Sequence, residues 1–152
     1  MIVTFCGHAC FYETNLLEQK LLSLLEDQIG NHDADLYLGG YGAFDEFAYH
    51  CGKKYKEKHP NVRLIWITPY IRQSHSEYQQ KKYDEIIYPA MENVSYKYAI
   101  SHRNKWMIIN ADLVIAYIDH NWGGAFQTFQ YARRKGKKIF NLADVQTEAL
   151  LP

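Results

Sequence analysis

Two stretches of this chain carry residues whose types and spacing suit chemistry on a phosphate or a sugar. In Asp35-Leu36-Tyr37-Leu38-Gly39-Gly40-Tyr41-Gly42-Ala43-Phe44-Asp45-Glu46 an apolar strand runs into three glycines and then into an acidic helix start. Near the other end, Leu113-Val114-Ile115-Ala116-Tyr117 leads through Asp119-His120-Asn121-Trp122 into Gly123-Gly124 and a second helix start. Glycine lets the main chain come close to a ligand, and the first N–H groups of a helix are unpaired at the positive end of its dipole. Two such turns point to a nucleotide-type pocket.

Asp45 and Glu46 fall in a first helical turn, where the dipole favours carboxylates whatever the function. The functional alternative is that one accepts hydrogen bonds from ribose hydroxyls, or acts as base or nucleophile at an anomeric carbon. His8, after the first strand, either braces its loop or touches a ligand. Trp122, beside two glycines, has little reason to be core and suits stacking. Arg103 shares a helical stripe with Tyr96, Ala99, Ile100 and Met107, and a guanidinium on such a stripe must find an acceptor. That partner is Asp112 or a carbonyl if Arg103 is structural, and a ligand phosphate or carboxylate if it is functional. Cys6-Gly7-His8-Ala9-Cys10 imitates a metal site but names no fourth ligand, so neither a metal nor a cofactor is expected.

The elements that would position these groups alternate along the chain. Ile2 to Cys6 reads as a strand; Thr14 to about Ile29 reads as a helix, with Leu17, Leu21, Leu24, Leu25 and Gln28 at helical spacing and Gly30 closing it. Phe44, Phe47, Ala48, Cys51 and Tyr55 form one stripe of the next helix, and Val62 to Ile67 the third strand. The polar span from Thr68 to Tyr83, with Gln73, Ser74, His75, Ser76, Gln79 and Gln80, reads as a loop or lid, followed by a short extended Ile86-Ile87-Tyr88-Pro89. A helix from about Tyr96 to Ile109, the strand Leu113 to Tyr117, a helix from about Gly124 to Lys135 and the strand Ile139 to Leu142 complete the pattern. The basic run from Arg133 to Lys138 completes a helix dipole. Such alternation predicts an α/β fold: a Rossmann-like three-layer sandwich with a mostly parallel sheet of about five strands, as one domain over residues 1–152.

In that fold ligands sit beyond the carboxyl ends of the strands, near the point where strand order reverses. The expected ligand-binding set is therefore Gly7, His8, Gly39, Gly40, Tyr41, Gly42, Asp45, Thr68, Tyr70, Arg103, Asp119, Asn121, Trp122, Gly123 and Gly124, with Asp45 and Glu46 as catalytic groups if there is catalysis.

With 152 residues, 47% hydrophobic and 22% charged, the composition is that of a globular protein. Seventeen Lys and Arg balance seventeen Asp and Glu, so no broad positive field is available for duplex nucleic acid or an anionic membrane. The amino terminus has no charged leader, no run approaches the roughly 20 apolar residues of a membrane span, and the three cysteines form no disulfide-like framework. A cytoplasmic location is expected.

The order of Thr4-Phe5-Cys6-Gly7-His8, Tyr37 to Asp45, Ser101-x-Arg103-Asn104-x-Trp106-Met107, Ala111 to Tyr117 and Trp122-Gly123-Gly124 resembles the YpsA-like branch of the SLOG superfamily over nearly the whole chain. The resemblance implies a Rossmann-like fold and a nucleotide-derived ligand. The superfamily includes the Lonely Guy phosphoribohydrolases, which cleave cytokinin nucleotides, and the DprA/Smf DNA-uptake proteins. In the Lonely Guy motif a glycine turn is followed by Thr and a catalytic Glu, after a helix bearing Arg and Met. Arg103 and Met107 match that helix, whereas Gln127 or Thr128 stands where the carboxylate would be. The resemblance therefore implies a sensor or sequestering protein for a nucleotide or nucleotide-derived small molecule. The alternative is an N-glycosidic hydrolase or transferase. The expected partner is that small molecule, with no membrane and no duplex nucleic acid; a DprA-like single-strand role is set aside on neutral charge, and the exposed aromatics admit a homo-oligomer.

Overall fold

A computed structural model describes residues 1–71, 77–91 and 93–144. The elements are β1 (Ile2–Gly7), α1 (Asn15–Ile29), β2 (Ala34–Leu38), α2 (Ala43–Lys58), β3 (Val62–Ile67), α3 (Glu77–Lys82), β4 (Glu85–Ile87), α4 (Ala99–Asn110), β5 (Leu113–Tyr117), α5 (Gly124–Arg134) and β6 (Lys138–Asn141). A 3-10 turn over Tyr96–Tyr98 leads into α4, so the helix expected from Tyr96 is α-helical only from Ala99.

The strands form one sheet in the order β4-β3-β2-β1-β5-β6, with every neighbouring pair parallel. This is the expected α/β three-layer fold, with six strands among the described residues. The sixth is the short extended segment, which pairs Trp66 with Ile86 and Ile67 with Ile87. Strand order reverses between β1 and β5.

Both faces of the sheet are buried, which explains why its strands are continuous apolar runs rather than alternating ones. Val3, Phe5, Leu36, Leu38, Leu64, Leu113 and Ile115 face α1 and α2, meeting Leu17, Leu21, Leu25, Phe44 and Phe47. Cys6, Val114, Ala116, Ile65 and Ile67 point the other way, towards Met107, Ile108 and Ala132 of α4 and α5. The two helix starts on the first face differ in how they are capped. The Thr14 hydroxyl accepts from the Leu17 N–H at 3.1 Å, whereas α2 begins at Gly42 with no side-chain cap.

The polar span after β3 is not all loop: α3 occupies Glu77–Lys82, on the surface with no buried residue. Gln73, Ser74, His75 and Ser76, the centre of the expected lid, lie outside the described residues. Among the described residues no helix is long and apolar enough to cross a membrane.

Candidate functional site

A cavity of about 360 Å³ opens at the carboxyl ends of β1, β2 and β5, over the reversal in strand order. Gly7 and His8 line it at the end of β1, Gly39, Tyr41 and Asp45 after β2, Trp122, Gly123 and Gly124 after β5, and Arg103 from α4. The fold rule and the cavity therefore agree. Its size is at the small end of the range for small-molecule and cofactor sites.

Thr68 and Tyr70 do not line this cavity. They follow β3, which β2 separates from β1, and two strand spacings amount to roughly 10 Å. The Thr68 hydroxyl accepts from the Tyr70 N–H at 3.2 Å, turning the chain, and Tyr70 stacks on Tyr96. Gly40 and Gly42 do not line the cavity either; they pack against Trp66 and Ala9. Asp119 and Asn121 line an open cleft on the far side of the β5 loop.

Asp45 and Glu46 part company although they are adjacent. Glu46 is exposed and faces His50 at 3.6 Å, away from the cavity, so only Asp45 remains as a carboxyl there. Asp45 Oδ2 accepts from the Tyr41 N–H at 3.1 Å. Burial pushes its pKa up to about 6, outweighing the pull of that N–H and of the Arg103 charge. A carboxyl perturbed in this way, in a cleft and near an Arg, is a functional-site feature.

Arg103 is only 3% exposed and finds carbonyls as partners inside the protein, while it still lines the cavity. Its Nη1 donates to the Gly39 and Ile67 carbonyls, both at 2.8 Å, and its Nε to Asn104 Oδ1 at 2.9 Å. Asp112 is occupied elsewhere, accepting from the Ile2 N–H. The guanidinium thus ties the ends of β2 and β3 together, while burial lowers its pKa against the opposing influence of Asp45. Gly39 is required where these groups meet: a Cβ there would lie 3.0 Å from Asp45 Oδ2 and 3.3 Å from Arg103 Cζ.

On the opposite wall three rings form a staircase. His8, 6% exposed, stacks on His120 with centroids 3.4 Å apart, and His120 meets Trp122 at 4.0 Å. Burial and then the neighbouring His120 lower the His8 pKa, against the opposing influence of Asp119, whose Oδ1 lies 3.5 Å from His8 Nε2. Trp122 is 68% exposed and offers its outer face to whatever enters.

The second glycine turn is open. α5 starts at Gly123 with no side-chain cap and no acidic residue in its first turn, whereas Asp45 and Glu46 both sit in the first turn of α2. α5 therefore presents an unneutralised positive dipole end at this cavity, unlike α2. Thr128 lines the cavity, its hydroxyl donating to the Gly124 carbonyl at 3.0 Å, whereas Gln127 does not.

Several lining residues lie outside the expected ligand-binding set, among them Thr4, Cys6, Ala9, Cys10, Ile100, Asn104, Met107, His120 and Ala125. Ile100, Asn104, Gly124 and Thr128 also belong to a second cleft between α4 and α5, so the two are contiguous. Lys97, Lys105 and Arg134 line this cleft and no Asp or Glu does, with Lys105 and Arg134 over the Tyr131 ring at 5.5 and 5.9 Å. A local basic track therefore leads out of the cavity in a chain of zero net charge.

No family model matches the chain. It is 26% identical over 138 residues to an uncharacterized SPbeta prophage-derived protein, YoqJ of Bacillus subtilis (strain 168), an alignment covering 78% of this chain and 81% of that protein. Among solved structures, DNA processing protein A of Helicobacter pylori, described for its single-stranded DNA binding mode, superposes with a TM-score of 0.61 at 17% identity, covering 98% of this chain and 72% of that one. DNA processing protein A of Streptococcus pneumoniae gives a TM-score of 0.63 at 13% identity, over 91% of this chain and 49% of its own. The protein TM1055 gives 0.58 at 12%, over 99% and 82%. One expectation is overturned by these likenesses: a small-molecule partner with nucleic acid set aside on net charge. A protein of this architecture binds single-stranded DNA. Single strands are held by stacking faces and a few local cations, which a balance of seventeen against seventeen does not report. What the likenesses show of this chain is its fold, a Rossmann-like α/β sandwich.

Proposed function

We propose that this chain is a SLOG-superfamily protein, of the YpsA-like branch, that binds single-stranded DNA by seating one nucleotide unit in the cavity. The basic cleft contiguous with the cavity carries this reading. A phosphate meets the carboxylate-free N-terminus of α5 at Gly123 and Gly124, a base stacks on the outer face of Trp122, and the following backbone runs past Lys97, Lys105 and Arg134. The sequence resemblance supports the family, and the architecture shared with DNA processing protein A supports the ligand class. Three free cysteines support a reducing, cytoplasmic setting.

The test is anisotropy of a labelled single-stranded oligonucleotide against salt, for wild type and for Lys97→Ala/Lys105→Ala/Arg134→Ala. For every phosphate that a removed cation had neutralised, the slope of log K against log salt should fall by about 0.7. Undetectable binding, or an unchanged slope and affinity in the triple variant, would sink the reading.

A second reading, N-glycosidic chemistry, is favoured by one observation, the Asp45 carboxyl with its pKa near 6 inside the cavity. α5 contributes no carboxylate there, so Asp45 alone would serve as base or nucleophile. Release of free base from nucleotides by wild type, lost in Asp45→Asn, is the result this reading requires.

A further inference from the structure

We propose that His8, Asp119 and His120 form a binding site for a divalent transition-metal ion at the edge of the cavity. His8 Nε2 is buried and has no hydrogen-bond partner. A buried polar atom left alone costs roughly 1–3 kcal/mol, so a nitrogen held in that condition calls for a ligand. With 6% exposure, His8 is more than nine-tenths buried, and it lies on the cavity wall.

Two other donors converge on it from the loop after β5. Asp119 Oδ1 lies 3.5 Å from His8 Nε2 and 2.7 Å from His120 Nδ1, and one ligand atom from each residue falls within 4.8 Å of the other two. A tetrahedral ion with bonds of about 2.0–2.2 Å holds its ligand atoms about 3.3–3.6 Å apart, so the set closes around an ion with small adjustments. The adjustment falls on His120, whose ring must tilt out of its parallel stack with His8 to bring a lone pair onto the ion. It stands on a partly exposed loop between the His8 and Trp122 rings, and the tilt exchanges its stack on His8 for a bond to the ion.

The donor set selects the ion. Two imidazoles and one carboxylate suit zinc, cobalt, nickel, copper or iron rather than magnesium or calcium, which prefer oxygen alone. Three protein ligands leave at least one position open, as in catalytic rather than structural zinc sites. His8 and His120 both line the cavity, so an ion held between them would have water or a phosphate oxygen within reach of that open position. Metal uptake requires no nucleotide, so the site stands or fails apart from the DNA-binding reading.

The test uses the whole chain, stripped with EDTA and titrated with Co²⁺ and then Zn²⁺. The expected result is one equivalent of Co²⁺ with visible d–d bands, displaced by Zn²⁺, and affinity lowered at least about tenfold in His8→Gln, Asp119→Asn and His120→Gln. His50→Gln, on the outer face of α2, should bind as wild type does. If His8→Gln fails to fold, His120→Gln on its loop carries the test. No binding tighter than about 1 mM, or binding unaffected by His120→Gln, overturns the proposal. So does an intense thiolate-to-cobalt band abolished by Cys10→Ser, which would place the metal on sulfur.

Discussion

The two glycine turns are nearly identical in backbone and opposite in their surroundings. Gly42 has φ 92° and ψ 167°, Gly123 has φ 93° and ψ 171°, and each caps a helix without a side-chain hydrogen bond. Around Gly42 everything is taken: the Ala43 N–H donates to the Ala9 carbonyl, the Tyr41 N–H donates to Asp45, and a Cβ would lie 3.0 Å from Ala9 Cα. Around Gly123 and Gly124 a Cβ would meet nothing within 4 Å. One turn is a knot that joins the β1 and β2 loops; the other stands open. A glycine-rich string therefore reports the backbone path, while its neighbours decide whether a ligand can reach it.

Breaking the knot should have the largest effect. The φ,ψ pair at Gly42 lies in a region essentially restricted to glycine, costing about 1–3 kcal/mol for any other residue, and the contact with Ala9 adds overpacking of about 1–3 kcal/mol. Gly42→Ala should lower Tm by roughly 5–15 °C. Gly123→Ala carries the strain without the clash and should lose about half as much. Equal losses in calorimetry would show that packing does not distinguish the turns.

Next come two effects of about 1–3 kcal/mol, one at each turn. Trp122→Ala should weaken oligonucleotide binding by that amount, the usual worth of one base stacked on an aromatic ring, with Tm unchanged because the ring is largely solvent-exposed. Unchanged affinity would remove the stacking face from the site. At the first turn, Asp45 titrates near 6 folded against 3.8 as the ordinary value. A raised pKa means that the folded state holds the proton more tightly, so stability grows as pH falls from about 6 towards 4. Asp45→Asn should accordingly stabilise the protein at pH 8 by an amount on the order of 1–2 kcal/mol, with the gain vanishing near pH 4. Denaturant midpoints at the two pH values check the sign.

These contrasts also mark what the sequence makes legible. The fold is legible because Leu17, Leu21 and Leu25, then Phe44, Phe47, Ala48, Cys51 and Tyr55, keep one helical stripe each, and all of them are buried. The position of the cavity follows from the strand-order rule alone. Its membership does not. Asp45 and Glu46 are equivalent as letters, but a helix turns about 100° per residue, which sends one carboxyl into the cavity and the other to His50. Thr68 and Tyr70 follow a strand as Gly39 does, and only the order β3-β2-β1 removes them. The stack of His8 on His120 joins opposite ends of the chain, and no local pattern announces it. The basic cleft is hidden for the same reason, since Lys97, Lys105 and Arg134 come from elements that meet only in the folded state.

The smallest stability effect should carry the sign opposite to that of Gly42→Ala and Gly123→Ala. Gly124 is the first residue of α5, its φ is not positive, and a Cβ would enter open space. Alanine there restricts the unfolded chain without straining the folded one, which stabilises by about 0.4–1 kcal/mol where the native conformation allows it. The new methyl, however, stands on the cavity wall where an anion must approach the first N–H groups of α5. Gly124→Ala should therefore raise Tm slightly while weakening oligonucleotide binding several-fold, roughly 0.5–1.5 kcal/mol, the worth of one ordinary hydrogen bond. A rise in both quantities would leave the second turn outside the site, and a fall in Tm would show that it is a knot like the first.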